Sequence, residues 1–167
     1  MSLQPGERFP DLELPDHSGS PRSLRELVAG DPAILHFYRG WWCPKEQAFL
    51  RRLVALQDEL EVAYVRIVSV SVDAPQTSAA LRAGLGARWT FLSDADRTWQ
   101  TRLKLRETTD TVHDPYVPAV FTLFPDRLIH SAYDGYWTLG RPTNEELRID
   151  LRTIQSQIRA DWHAPAA

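Results

Sequence analysis

The chain has 167 residues, 43% of them hydrophobic and 25% charged, which suits one soluble domain over 1–167 with enough apolar material for a core. Its 19 basic and 22 acidic residues are interleaved and sum to a net charge of -3, so there is no electrostatic footprint for nucleic acid. No stretch approaches the roughly 18 consecutive apolar residues of a membrane span, and the opening MSLQPGERFPDLELP has neither the basic leader nor the apolar core of a signal peptide, so a cytoplasmic protein is expected.

In chain order, residues 5–15 read as an extended arm with Phe9, Leu12 and Leu14 set among Pro5, Pro10 and Pro15. His17-Ser18-Gly19-Ser20 is a turn, and Ser23 is placed to cap a short helix through Val28. After the Gly30-Asp31-Pro32 break, residues 33–38 form a strand whose apolar character suits cover on both faces. His36, its one clearly polar member, reads as a hydrogen-bonded core histidine, with a catalytic base as the alternative. Helical spacing follows over 44–60, where Phe49, Leu53, Leu56 and Leu60 recur at intervals of three and four. Pro44 fits the first helical position, where its missing N–H costs nothing, and Cys43 therefore falls at the N-cap.

Residues 62–72, rich in Val, predict a second strand. Asp73-Ala74-Pro75 opens a helix ending near Gly84 or Gly86, 89–92 is a short strand, 94–105 a helix, and 106–117 a polar loop. Strands over 119–124 and 128–136, joined by Pro125-Asp126-Arg127, predict an antiparallel hairpin. Thr143-Asn144-Glu145-Glu146 is a capping box, and the last helix runs to about residue 160 with Leu147, Leu151, Ile154 and Ile158 on one face. No internal repeat or linker interrupts the pattern.

Cys43 is the only cysteine, so it cannot staple the chain with an intramolecular disulfide. A helix N-terminus presents free N–H groups and the positive end of the dipole, which favour a thiolate there. Arg39 and Lys45 act in the same sense, while an ionised Glu46 would oppose them. Glu46 reads as a capping or solvated acid at the third helical position, the alternative being a general base that takes the thiol proton. For Cys43 itself the alternative to reactivity is a small buried hydrophobe. Trp41 and Trp42 are expected to wall the site. His17, His113, His130 and His163 show no ligand spacing with the single cysteine, and no glycine-rich phosphate loop is present, so neither metal nor cofactor is expected.

The order β-α-β-α-β-α-β-β-α, with a thiol after the first core strand, resembles the thioredoxin fold and, within it, the peroxiredoxin-like AhpC/TSA or redoxin family. The residues that carry the resemblance are PGERFPDLELPDHSG, HFYRGWWCPKE, VSVSVD, WTFLSD and VPAVFTLFPD. It implies a three-layer α/β/α architecture with a central mixed sheet, in which the strand and helix of 89–105 are the insertion that separates peroxiredoxins from thioredoxin. It also implies catalysis by Cys43, with Arg39, Gly40, Trp42, Glu46, Val117, Pro118 and Arg141 stabilising the thiolate or lining the site. The proline and threonine that usually precede the peroxidatic cysteine correspond to His36 and Gly40. The usual strand-starting arginine corresponds to Pro118, which after Val117 resembles the cis-proline of thioredoxins and would present backbone to an incoming thiol. In the related pattern RGxWCPxC the second cysteine corresponds to Glu46. The loop over 137–142 would border Cys43, with Arg141 supplying positive charge there, or else shaping the turn before Thr143 at the surface.

Three functions follow as expectations. The first is one-cysteine reduction of a hydroperoxide, with an external thiol reductant such as glutathione or a thioredoxin-like protein. The second is monothiol exchange with a disulfide of glutathione or a protein. The third is a non-catalytic binding or scaffold role in which Trp41, Trp42, Tyr136 and Trp137 form a recognition patch. A homodimer is left open, and no nucleic-acid or membrane partner is expected.

Overall fold

A computed structural model describes residues 3–159; His163 and the expected helix end near residue 160 lie outside them. The turn over 17–20 closes a small antiparallel hairpin of β1 (Glu13–Pro15) and β2 (Pro21–Ser23), a pairing not expected of the proline-rich arm. Ser23 then accepts the Glu26 N–H at 3.1 Å and starts α1 (Leu24–Val28). The remaining elements are β3 (Ala33–Phe37), α2 (Pro44–Val62), β4 (Arg66–Ser71), α3 (Pro75–Leu85), β5 (Thr90–Ser93), α4 (Thr98–Leu103), β6 (Ala119–Leu123), β7 (Ile129–Asp134) and α5 (Asn144–Ile158).

Two boundaries move for local reasons. Helix α2 continues through Val62, and Tyr64 reverses the chain at φ +55°, so the strand expected from residue 62 begins at Arg66. Helix α4 starts at Thr98 because the Asp94 carboxylate accepts the Trp99 and Gln100 N–H groups from outside the helix. Ile158 is also displaced from the expected apolar face of α5: it is exposed, while Leu147, Leu151 and Ile154 are buried.

The five main strands form one mixed sheet in the order β5-β4-β3-β6-β7, with β3 parallel to β4 and antiparallel to β6. Side chains alternate across a strand, so β3 serves two cores. Leu35 and Phe37 face a cluster built from the arm (Phe9, Leu12, Leu14), α1 and α4. Ile34 and Tyr38 face Phe49, Leu50, Leu53 and Leu56 of α2 and Leu147, Leu151 and Ile154 of α5. His36 shares this second face, its ring 4.9 Å from that of Phe49. The architecture is the α/β, thioredoxin-like one expected, with helices on both faces of a mixed sheet. Register places Phe37 beside Ala119, so the end of β3, the start of α2 and the start of β6 meet at one end of the sheet. Among the described residues no helix is long and apolar enough to cross a membrane.

Candidate active site

Cys43 occupies the N-cap of α2 with extended backbone angles (φ -83°, ψ 114°), and its side chain makes no capping bond. Its N–H donates to the Gly40 carbonyl at 3.2 Å and its carbonyl accepts from Gln47 at 3.1 Å, so the turn from strand to helix is closed on both sides. The residue is only 3% exposed and is a free cysteine.

Gly40 has φ +148°, a region that L side chains rarely adopt, and an added Cβ would stand 2.6 Å from Nε1 of Trp42. The turn itself therefore demands glycine at this position, where the resemblance would have put a threonine. Asp73, at the end of β4, fastens the same turn by accepting the Trp41 N–H at 2.8 Å. Burial holds its carboxyl above the usual range.

One turn into α2, Glu46 is completely buried. Its Oε1 accepts a hydrogen bond from Nη2 of Arg141, itself only 6% exposed, while Oε2 lies 3.6 Å from Nε2 of His36. That second separation is too long for a hydrogen bond, so the contact is electrostatic. Burial works against the charged form of Glu46, and the His36 and Arg141 groups outweigh it, leaving the carboxyl below its ordinary value. Burial also pushes the His36 imidazole down, toward its neutral form. Arg141 reaches this position because Gly140 lies against Pro118 so closely that a Cβ would collide with the Pro118 carbonyl. The same carbonyl accepts the Gly135 N–H at 3.1 Å, and Arg141 Nη1 donates to the Trp137 carbonyl at 2.6 Å. Lys45 Nζ sits 3.8 Å from the centre of the Trp137 ring, a second clasp between this loop and the first turn of α2.

Several expectations change here. Glu46 is not a solvated or capping acid, because the Arg141 guanidinium neutralises it inside the protein. Arg141 is not a surface residue, because a glycine lets its loop lie directly on the start of β6. Every described peptide bond is trans, including Val117–Pro118. The extended trans chain lets the Val117 N–H donate to the Leu105 carbonyl at 2.7 Å and carries Pro118 straight into β6. Arg39 turns away from the helix start: it donates to Glu107 at 3.1 Å and Asp110 at 3.0 Å, and its guanidinium lies 4.9 Å from the Trp42 ring centre. The other face of this rim is His113, stacked on Trp42 at 3.8 Å and bonded to Asp110. Trp42 is thus packed within the rim, while Trp41, Tyr136 and Trp137 stand exposed.

Glu107, Asp110 and His113 were not singled out in the sequence as members of this rim, and neither was Ser69, which contacts His36 Nδ1 at 3.2 Å. A carboxylate in a loop carries no local signal of a partner 68 residues away. A serine among valines in a buried strand is the one hint that 68–73 offered, because a hydroxyl there requires a partner.

A solved structure of peroxidoxin BcpB from Mycobacterium tuberculosis superposes with a TM-score of 0.78 at 21% identity, covering 92% of this chain and 97% of its own. AhpC from Enterococcus faecalis gives 0.77 at 18% identity, covering 99% and 100%. A curated relative from Mycobacterium tuberculosis strain H37Rv, named as a peroxiredoxin, is 26% identical over 159 residues, or 92% of this chain and 99% of its own. The AhpC/TSA family model matches residues 5–132, and with the cysteine-bearing turn and the mixed sheet in place the chain belongs to the AhpC/TSA family.

Proposed function

We propose that the protein is a one-cysteine thiol peroxidase, a variant of the RGxWCPxC pattern in which Glu46 replaces the second thiol, within a single domain. The observation that carries this reading is the placement of one nearly buried cysteine at a helix N-cap, three residues before a buried Glu46–Arg141 pair. A sulfur with 3% of its residue exposed is matched to a substrate as small as the O–O end of a hydroperoxide, and poorly matched to a glutathione disulfide.

In the reaction, the Cys43 thiolate attacks the distal oxygen of ROOH and forms the S–O bond as the O–O bond breaks. The electron pair leaves with RO, which takes a proton and departs as ROH. Cys43 is then a sulfenic acid. One external thiol condenses with it, releasing water and forming a mixed disulfide. A second thiol attacks that disulfide and regenerates Cys43. The helix N-terminus stabilises the attacking thiolate, and Arg141 provides the guanidinium that faces the negative charge developing on the leaving oxygen. Glu46 holds Arg141 in that place. Glutathione or a thioredoxin-like protein fits the reductant, and the exposed Trp41, Tyr136 and Trp137 offer a protein reductant a surface beside the site.

The test is stopped-flow reaction of the reduced protein with hydrogen peroxide and with an organic hydroperoxide, followed by the mass of the Cys43 peptide. A sulfenic acid formed far faster than on free cysteine, and absent from Cys43→Ser, is expected. A rate no higher than that of free cysteine with either peroxide overturns the reading. A mixed disulfide with oxidised glutathione that forms faster than the sulfenic acid would establish thiol–disulfide exchange instead.

A further inference from the structure

We propose that His36 is a positioning residue: an imidazole kept as the Nε2–H tautomer between Ser69 and the Glu46 carboxylate, its Nε2–H facing the second oxygen of Glu46 and so favouring one orientation of Arg141 at the Cys43 site.

The tautomer follows from a chain of polar atoms that has one consistent direction. The Trp89 indole can only donate, and its Nε1–H gives to Ser69 Oγ at 2.9 Å. The Ser69 hydroxyl keeps its own proton, which it can donate to His36 Nδ1 at 3.2 Å, an arrangement in which the ring proton sits on Nε2. At the other end, Nε2 faces Glu46 Oε2 at 3.6 Å. Neither atom has a hydrogen-bond partner, and both are buried. An ionised carboxylate can only accept, so a bare Nε2 lone pair opposite it would be repulsive; the Glu46 end selects the Nε2–H tautomer and the Ser69 end accommodates it.

The surroundings keep the ring singly protonated. His36 is fully buried between Ser69 on β4, Phe49 and Glu46 on α2, and Tyr38 on its own strand at 5.4 Å. Of the charged groups facing it, Glu46 favours a second proton, while burial and the Arg141 charge oppose it. The consequence for the site is geometric. Arg141 holds Oε1 only, so without His36 the Glu46 carboxylate would be free to rotate about its terminal bond. With Oε1 bonded to Arg141 and Oε2 drawn electrostatically toward the Nε2–H dipole at 3.6 Å, one carboxylate orientation is favoured, and with it one place for the guanidinium.

The effect on rate rests on the peroxidase reading; the tautomer does not, and the two are tested separately. In the reduced protein, 15N shifts of the His36 ring, assigned by their loss in His36→Gln, are expected to report a neutral Nε2–H tautomer at neutral pH, with any protonation below the ordinary histidine range. A Nδ1–H tautomer, or a midpoint near the ordinary histidine value, overturns the proposal whatever the protein does with peroxide. For the rate, His36→Phe is expected to slow sulfenic acid formation by about tenfold or more. His36→Gln, which keeps an N–H directed at Glu46, should recover most of that loss. The double variant His36→Phe/Glu46→Gln should be no slower than Glu46→Gln alone, because His36 acts through Glu46. If His36→Phe fails to fold, His36→Leu, which also removes the N–H, takes its place in the same cycle with Glu46→Gln. Independent, multiplicative losses in the cycle overturn the positioning role. If the native protein itself does not react with peroxide, the peroxidase reading fails and the ring spectrum alone decides the proposal.

Discussion

Two charged networks flank the Cys43 turn, and they differ in what surrounds them. Inside, Glu46, His36 and Arg141 are buried and each depends on the others for compensation. At the rim, Arg39 is a quarter exposed, and Glu107 keeps three other donors, from the Thr109 N–H and hydroxyl and from Tyr136. In the inner network Arg141 is, among the described residues, the one hydrogen-bond partner of the Glu46 carboxylate, so the charge of Glu46 depends on it. The rim network is redundant, with Arg39 partly open to water even though Glu107 is buried, so it shapes the wall without being indispensable.

That contrast can be broken in order of expected effect. Arg141→Leu strands an ionised carboxylate in the core and should destabilise the protein by about 3–5 kcal/mol in denaturant unfolding. Arg141→Leu/Glu46→Leu should regain most of it, and a loss under about 1 kcal/mol for the single variant would show that Glu46 does not depend on Arg141. Next comes Gly40→Ala, which forces a side chain into the φ +148° conformation against Trp42 and should cost about 1–3 kcal/mol by the same measurement.

Acid separates the networks more gently. Burial lowers the proton affinity of His36, so as pH falls the unfolded chain, with its ordinary value near 6.5, takes up this proton before the folded protein does. Stability from this group is therefore present above that value and declines as pH falls through it. Unfolding free energy should fall between pH 7 and 5.5, and that fall should be absent from His36→Gln. The smallest effect is expected at the rim: Arg39→Ala should change stability by no more than about 1 kcal/mol.

The strands and helices were legible because alternation and spacings of three and four express burial directly, as in 33–38 and in the Phe49 to Leu60 stripe of α2. The N-cap place of Cys43 followed from Pro44 alone. The inner network was only half legible. Arg141 could be brought near Cys43 by topology, yet its burial depends on Gly140 lying against the Pro118 carbonyl, and no local pattern around residue 140 announces that approach. Glu46 looked like a helix-start acid because, within its own helix, it is one; only a partner 95 residues later changes its environment. The trans bond before Pro118 was misread because resemblance to a motif is weaker than the pairing of Val117 with Leu105.

The most direct test of the account compares the two arginines. The second-order rate of sulfenic acid formation at Cys43 should be measured by stopped flow for Arg141→Lys and Arg39→Lys, both of which keep the positive charge. If the buried pair organises the site, Arg141→Lys loses about tenfold or more, because an ammonium cannot hold Glu46 and face the peroxide together, while Arg39→Lys stays within about twofold. The reverse pattern, or an equal loss in both, would contradict the account.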